Sequence, residues 1–77
     1  MTDWEWNDEL STIVLSARLP WRVSASWVRP DRDSCGAELT NTTSGAVRGL
    51  AISLKDFPTR AARRGEIVRQ LAAATRR

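Results

Sequence analysis

The stretch MTDWEWNDELSTIVLSARLP (residues 1–20) decides the fold, because it supports two backbone periods at once. Read in steps of three and four, Trp6, Leu10, Ile13, Val14 and Ala17 fall on one helical stripe. Thr2 and Glu5 stand at capping-box spacing, acids crowd the first turns, and Pro20 stops the run. Read in steps of two, Ile13, Leu15, Ala17 and Leu19 alternate with Thr12, Val14, Ser16 and Arg18, and the β-branched run Thr12-Ile13-Val14 favours extension. Leu19-Pro20 is a poor two-residue hairpin loop, since neither residue readily takes the positive φ that primed turns need. The strand reading nevertheless puts four matched apolar faces in one meander. It sets the expectation of a strand over 11–19, preceded by an acidic, Trp-containing arm at 1–10 that is loosely ordered or helical. The helical reading is the alternative.

Outward from that stretch the signals are clearer. Trp21, Val23, Ala25 and Trp27 alternate with Arg22, Ser24, Ser26 and Val28, which predicts a strand with its tryptophans toward the core. A polar loop, RPDRDS (29–34), closes it. Cys35, Ala37 and Leu39 define a second strand and Leu50, Ile52 and Leu54 a third, with NTTSG (41–45) as hairpin chemistry between them. Residues 56–77 read as an amphipathic helix with Phe57, Ala61, Gly65, Val68, Leu71, Ala72 and Thr75 on one stripe. Asp56 is placed as the N-cap and Arg76-Arg77 at the negative end of the dipole. Gly65 costs about 1 kcal/mol of helix propensity, for which close packing is the simplest reason. The expected class is α+β: a small antiparallel sheet of three or four strands in a β-meander, packed by a C-terminal amphipathic helix, over residues 11–77. The alternative is αβββα.

A chain of 77 residues holds one domain and a core that supplies roughly 3–5 kcal/mol, so self-association into a homodimer is a reasonable expectation. The opening residues lack the basic and apolar regions of a secretory signal, Cys35 is the lone cysteine, and no apolar run approaches the roughly 20 residues of a membrane span. These features predict a cytoplasmic protein with no membrane partner.

Chemistry is bounded more sharply. The chain has no histidine, which removes the commonest general base and metal ligand. Cys35 is expected on the core face with no histidine to activate it, and Asp31 and Asp33 read as a salt-linked turn more simply than as metal ligands. The glycines match neither a dinucleotide fingerprint nor a phosphate loop. The sequence therefore predicts no enzyme, no metal and no cofactor.

What remains is binding. Residues 1–10 carry Asp3, Glu5, Asp8 and Glu9 with no base, while the last third is basic, and every basic residue but Lys55 is arginine. Arginine matches carboxylates and phosphates through its planar fork, although a GC-rich coding sequence also enriches it. Trp4 and Trp6 in the acidic arm are candidate contact residues, since tryptophan is enriched at interface hot spots. Arg22, Arg29, Arg32, Arg60, Arg63, Arg69, Arg76 and Arg77 complete the candidate set.

The helical alternative for the N-terminus resembles the layout of double-stranded-RNA-binding domains. Pro20-Trp21, Pro30-Asp31-Arg32 and Thr59-Arg60-Ala61-Ala62-Arg63 sit where that family has an aromatic after proline, a loop motif and the basic start of the last helix. The family's loop histidine is absent, and a Thr-Arg pair replaces its paired lysines. The resemblance implies nucleic-acid binding through the arginines of the C-terminal helix and loops. The residues themselves favour a small non-enzymatic interaction protein, of the size of bacterial or phage regulators and inhibitors, that binds a larger protein or complex; nucleic acid is the alternative partner.

Overall fold

The computed structural model describes residues 1–75, and its element order is αβββα. Helix α1 spans Asp3–Ser16, strands β1, β2 and β3 span Trp21–Arg29, Ser34–Asn41 and Val47–Ser53, and helix α2 spans Arg60–Thr75. The strands form an antiparallel meander in the order β1-β2-β3. Side chains of both helices join one face of that sheet in a single core of Trp6, Leu10, Ile13, Val14, Trp21, Cys35, Ala37, Leu39, Leu50, Ile52, Ile67 and Leu71.

The strand expected over 11–19 does not form; the helix runs without a break from the first turn through Ser16. Thr2 accepts the Glu5 amide at 3.1 Å and the Glu5 carboxylate accepts the Thr2 amide at 3.0 Å, closing the capping box. A cap of this kind stabilises by about 1 kcal/mol, more than the few tenths by which each β-branched residue disfavours helix. The helix also buries Trp6 and Leu10, which the strand reading left outside the sheet, at the expense of Leu15, which stays 78% exposed. It ends in a Schellman turn: the Leu19 amide donates to the Val14 carbonyl, the Arg18 amide to the Leu15 carbonyl, and Arg18 takes a left-handed φ of 54°.

One irregularity redirects a whole strand. The β1–β2 register shifts between Val23 and Ala25, so Ser24 is an extra residue, a β-bulge. Trp21 and Val23 face the helices, but beyond the bulge the faces exchange. Ser26 then meets Asn7 of α1 at 2.8 Å, whereas Trp27 crosses the open face above Gly36. The expected core placement of Ala25 and Trp27 is thereby corrected. Gly36 is held between two indoles: Trp6 donates from the helix side to its carbonyl at 2.9 Å, and Trp27 covers it from the open side.

Helix α2 starts later than expected. Thr59, not Asp56, caps it, accepting the Ala62 amide at 3.1 Å, and residues 54–59 form the turn that leads in. Its buried stripe is Arg63, Ile67 and Leu71, rotated from the expected one, so Ala61 and Gly65 point to solvent. Nothing lies within 4 Å of where a Gly65 Cβ would be, and close packing does not explain that glycine. The Arg76-Arg77 placement lies outside the described residues.

Two substitutions test this backbone. A Gly36→Ala Cβ would meet Trp27 Nε1 at 2.3 Å, so urea denaturation should show a loss of about 1–3 kcal/mol. Arg18→Gly relieves a left-handed residue and should gain about 0.5–1 kcal/mol.

Candidate interaction surfaces

Two residues along a helix turn the chain by about 200°, which is why Trp4 and Trp6 part company. Trp6 is fully buried, while Trp4 is 75% exposed. Trp4, Asp8, Ser11 and Leu15 recur at four-, three- and four-residue steps, on one outward stripe of α1. The two large apolar residues stand at its ends, roughly 16 Å apart at 1.5 Å per residue. Asp8 between them is exposed, as are Asp3 and Glu5 at the helix start. The Thr2 hydrogen bonds lower the Glu5 carboxyl pKa from its ordinary value.

Beside Trp4 a groove of about 330 Å³ opens between the starts of the two helices, lined by Met1, Trp4, Glu5, Asp8, Glu9, Arg60 and Arg63. Its buried members are an ion pair. Arg63 Nε donates to one Glu9 oxygen at 2.7 Å and Nη2 to the other at 2.9 Å, while Nη1 reaches the Phe57 carbonyl at 3.2 Å. The Glu9 hydrogen bond raises the Arg63 pKa further above its ordinary value. Arg60 is exposed at the rim, so the groove presents acids along α1 with the Arg60 guanidinium across from them.

Sequence reasoning assigned both Trp6 and Arg63 to a partner, and the structure commits both to the protein itself. Arg69 is exposed but paired with Glu66 through two hydrogen bonds of 2.6 and 2.7 Å. That contact, with help from Gln70, holds the Glu66 carboxyl down to about 2. Arg76 and Arg77 lie outside the described residues. Of the expected candidates on the helices, Trp4 and Arg60 remain available together. Arg22, Arg29 and Arg32 are exposed elsewhere, the first two on β1 and the third in the 3-10 turn Pro30–Arg32. The sequence signal for Asp8 and Leu15 was the outward helical stripe, hidden while the strand period was preferred.

The Cys35 thiol is buried, 3.8 Å from the Met1 sulfur, and desolvation pushes its pKa up against the opposing pull of Arg63. A thiolate is thus disfavoured. Among the described residues no three metal-ligating side chains converge, and no helix is long and apolar enough to cross a membrane. The motif resembling the start of the last helix in double-stranded-RNA-binding domains spends its second arginine on Glu9. The chain matches no protein-family model, no curated protein and no solved structure.

Removing one partner of the buried pair strands the other. Glu9→Leu or Arg63→Met alone should cost about 3–5 kcal/mol in chemical denaturation, and the double replacement should recover most of the loss. For the exposed pair the pH dependence is set by Glu66. Its folded pKa is depressed from 4.5 to about 2, so its contribution is present above about 4.5 and is lost as pH falls toward 2. The difference in melting temperature between the parent and Glu66→Gln should disappear over that window.

Proposed function

We propose that this protein is a non-enzymatic interaction module that binds a larger protein through the outer face of α1. The observation that carries this reading is the outward stripe. A tryptophan and a leucine are spaced along it as anchors, with acids between and beside them. A helix presented in this way suits an apolar groove with a basic rim on the partner. Such grooves read anchors at helical spacing, and the charges supply steering and orientation.

A helix displayed on a packed domain loses little freedom on binding, because the entropic cost of ordering it has already been met by folding. The Glu9–Arg63 pair supports this role indirectly, by fixing α1 against α2 beneath the groove. Control of the bound protein by occupying its surface, as a regulator or inhibitor, follows as the simplest consequence for a chain of this size.

The test is affinity capture from a native extract with the intact chain, beside the double variant Trp4→Ala/Leu15→Ser. Both positions are exposed, so the variant should keep the parent's melting temperature within about 2 °C. It should lose a stoichiometric protein partner that the parent retains. Recovery of the same partner by both chains, or of nucleic acid alone, would refute the assignment.

A further inference from the structure

The bulge in β1 leaves an aromatic residue on the side of the sheet away from both helices, and the surroundings of that residue form a second site. Trp27, Gly36 and Ala51 are register partners across all three strands. On this row nothing beyond a β-carbon stands beside the indole, so the sheet there is a shelf roughly 10 Å wide at the usual strand spacing. A depression of about 340 Å³ runs along it, and Arg29, Arg32 and Ser34 complete its polar lining. No carboxylate lines it. Neither Arg29 nor Arg32 forms a salt bridge among the described residues.

The Arg29 guanidinium carbon stands 6.0 Å over the centre of the Trp27 ring. Direct contact of two planar groups brings atoms to about 3.5–4 Å, and a planar ring inserted between them needs about twice that. The observed separation is already most of the required opening, and the exposed arginine side chain can supply the remainder.

We propose that this shelf binds the nucleotide units of single-stranded nucleic acid, one base stacking between Trp27 and Arg29 while its phosphate is met by Arg32. A base must be unstacked from its neighbours to enter, which selects single strands over duplex. Two arginines with no salt-bridge partner among the described residues, and no lining carboxylate, favour the phosphate. Glu38, two residues along β2 on the same face and exposed, repels phosphates at the other end of the shelf. Asp31 and Asp33 are likewise exposed in and just after the Pro30–Arg32 turn, so the favourable stretch is short and centred on Trp27, Arg29 and Arg32. This surface lies on the opposite side of the sheet from α1, so it stands or falls separately from the protein-binding reading.

The experiment uses the full chain with a fluorescently labelled oligothymidylate and an oligouridylate, each about 12 nucleotides long, at roughly 50 mM salt. Free thymidine monophosphate, a matched duplex and polyglutamate are the other arms. Anisotropy should show binding to the single strands that weakens roughly tenfold in Trp27→Leu. Arg29→Ala/Arg32→Ala should weaken binding and make the salt dependence shallower by about 0.7 for each phosphate no longer neutralised. Glu38→Gln should tighten binding, and Trp4→Ala should leave it unchanged. In the NMR spectrum the indole N–H signal missing from Trp27→Phe should be the one that shifts, with thymidine monophosphate moving it weakly. Because Trp27 also packs on Gly36, the arginine variants, at exposed positions, decide the matter if Trp27→Leu unfolds. Absence of single-strand binding, equal binding to duplex, indifference to the arginine variants, or an equal or stronger shift with polyglutamate would each overturn the proposal.

Discussion

Glu9 and Arg63 meet through two parallel hydrogen bonds in a nearly buried space between the helices, and the way the two helices sit against each other follows from that contact. Withdrawing either charge from water costs several kcal/mol, which the pair recovers only if the geometry is good and the remaining donors find partners. The Phe57 carbonyl takes one of those donors, tying the turn before α2 into the same knot. The contact thus fixes where α2 begins and how closely it approaches α1. It also sets the depth of the groove beside Trp4. An apolar pair of equal volume would fill the space without specifying which carboxylate and which guanidinium must face each other.

That contact also shows which parts of the fold were legible in the sequence. The three strands and the meander were readable from alternation and from the Asn41–Gly45 turn, whose geometry is local: the Asn41 side chain accepts the amides of Thr43 and Ser44, and Gly45 supplies a φ of 77°. The stripe on α2 was misplaced because an arginine stands at its start; a hydropathy pattern does not count Arg63 as buried unless Glu9 is known to be opposite. At the N-terminus the two periods competed on nearly equal terms. Helix won through a cap and through burial of Trp6, neither of which the alternation of residues 11–19 takes into account.

The candidate surfaces were legible only in part, for a related reason. The acidic character of the first helix and the exposure of Trp4 can be read once the helical period is accepted. Trp27 could not be placed, because a single extra residue at Ser24 inverts everything after it and Ser-Ala-Ser carries no mark of a bulge. Arginine content was a poor guide by itself: Arg63 and Arg69 are engaged by glutamates, while Arg29 and Arg32 are not. The resulting charge layout is layered, with exposed acids along α1 and unpaired arginines toward one end of the open sheet face.

Gly36 lies between those layers, with one indole bonded to its carbonyl and another resting where a side chain would begin. At that point the sheet is a partition one peptide thick, bearing an aromatic on each side. As such chains diverge, positions 6, 27 and 36 are therefore bound as a triple rather than as independent sites. A side chain at 36 becomes tolerable only after 27 has shrunk, and a shift of the strand to accommodate it would withdraw the acceptor used by 6. Coordinated change at these three places, far apart along the chain, would be the trace that this partition leaves in a lineage.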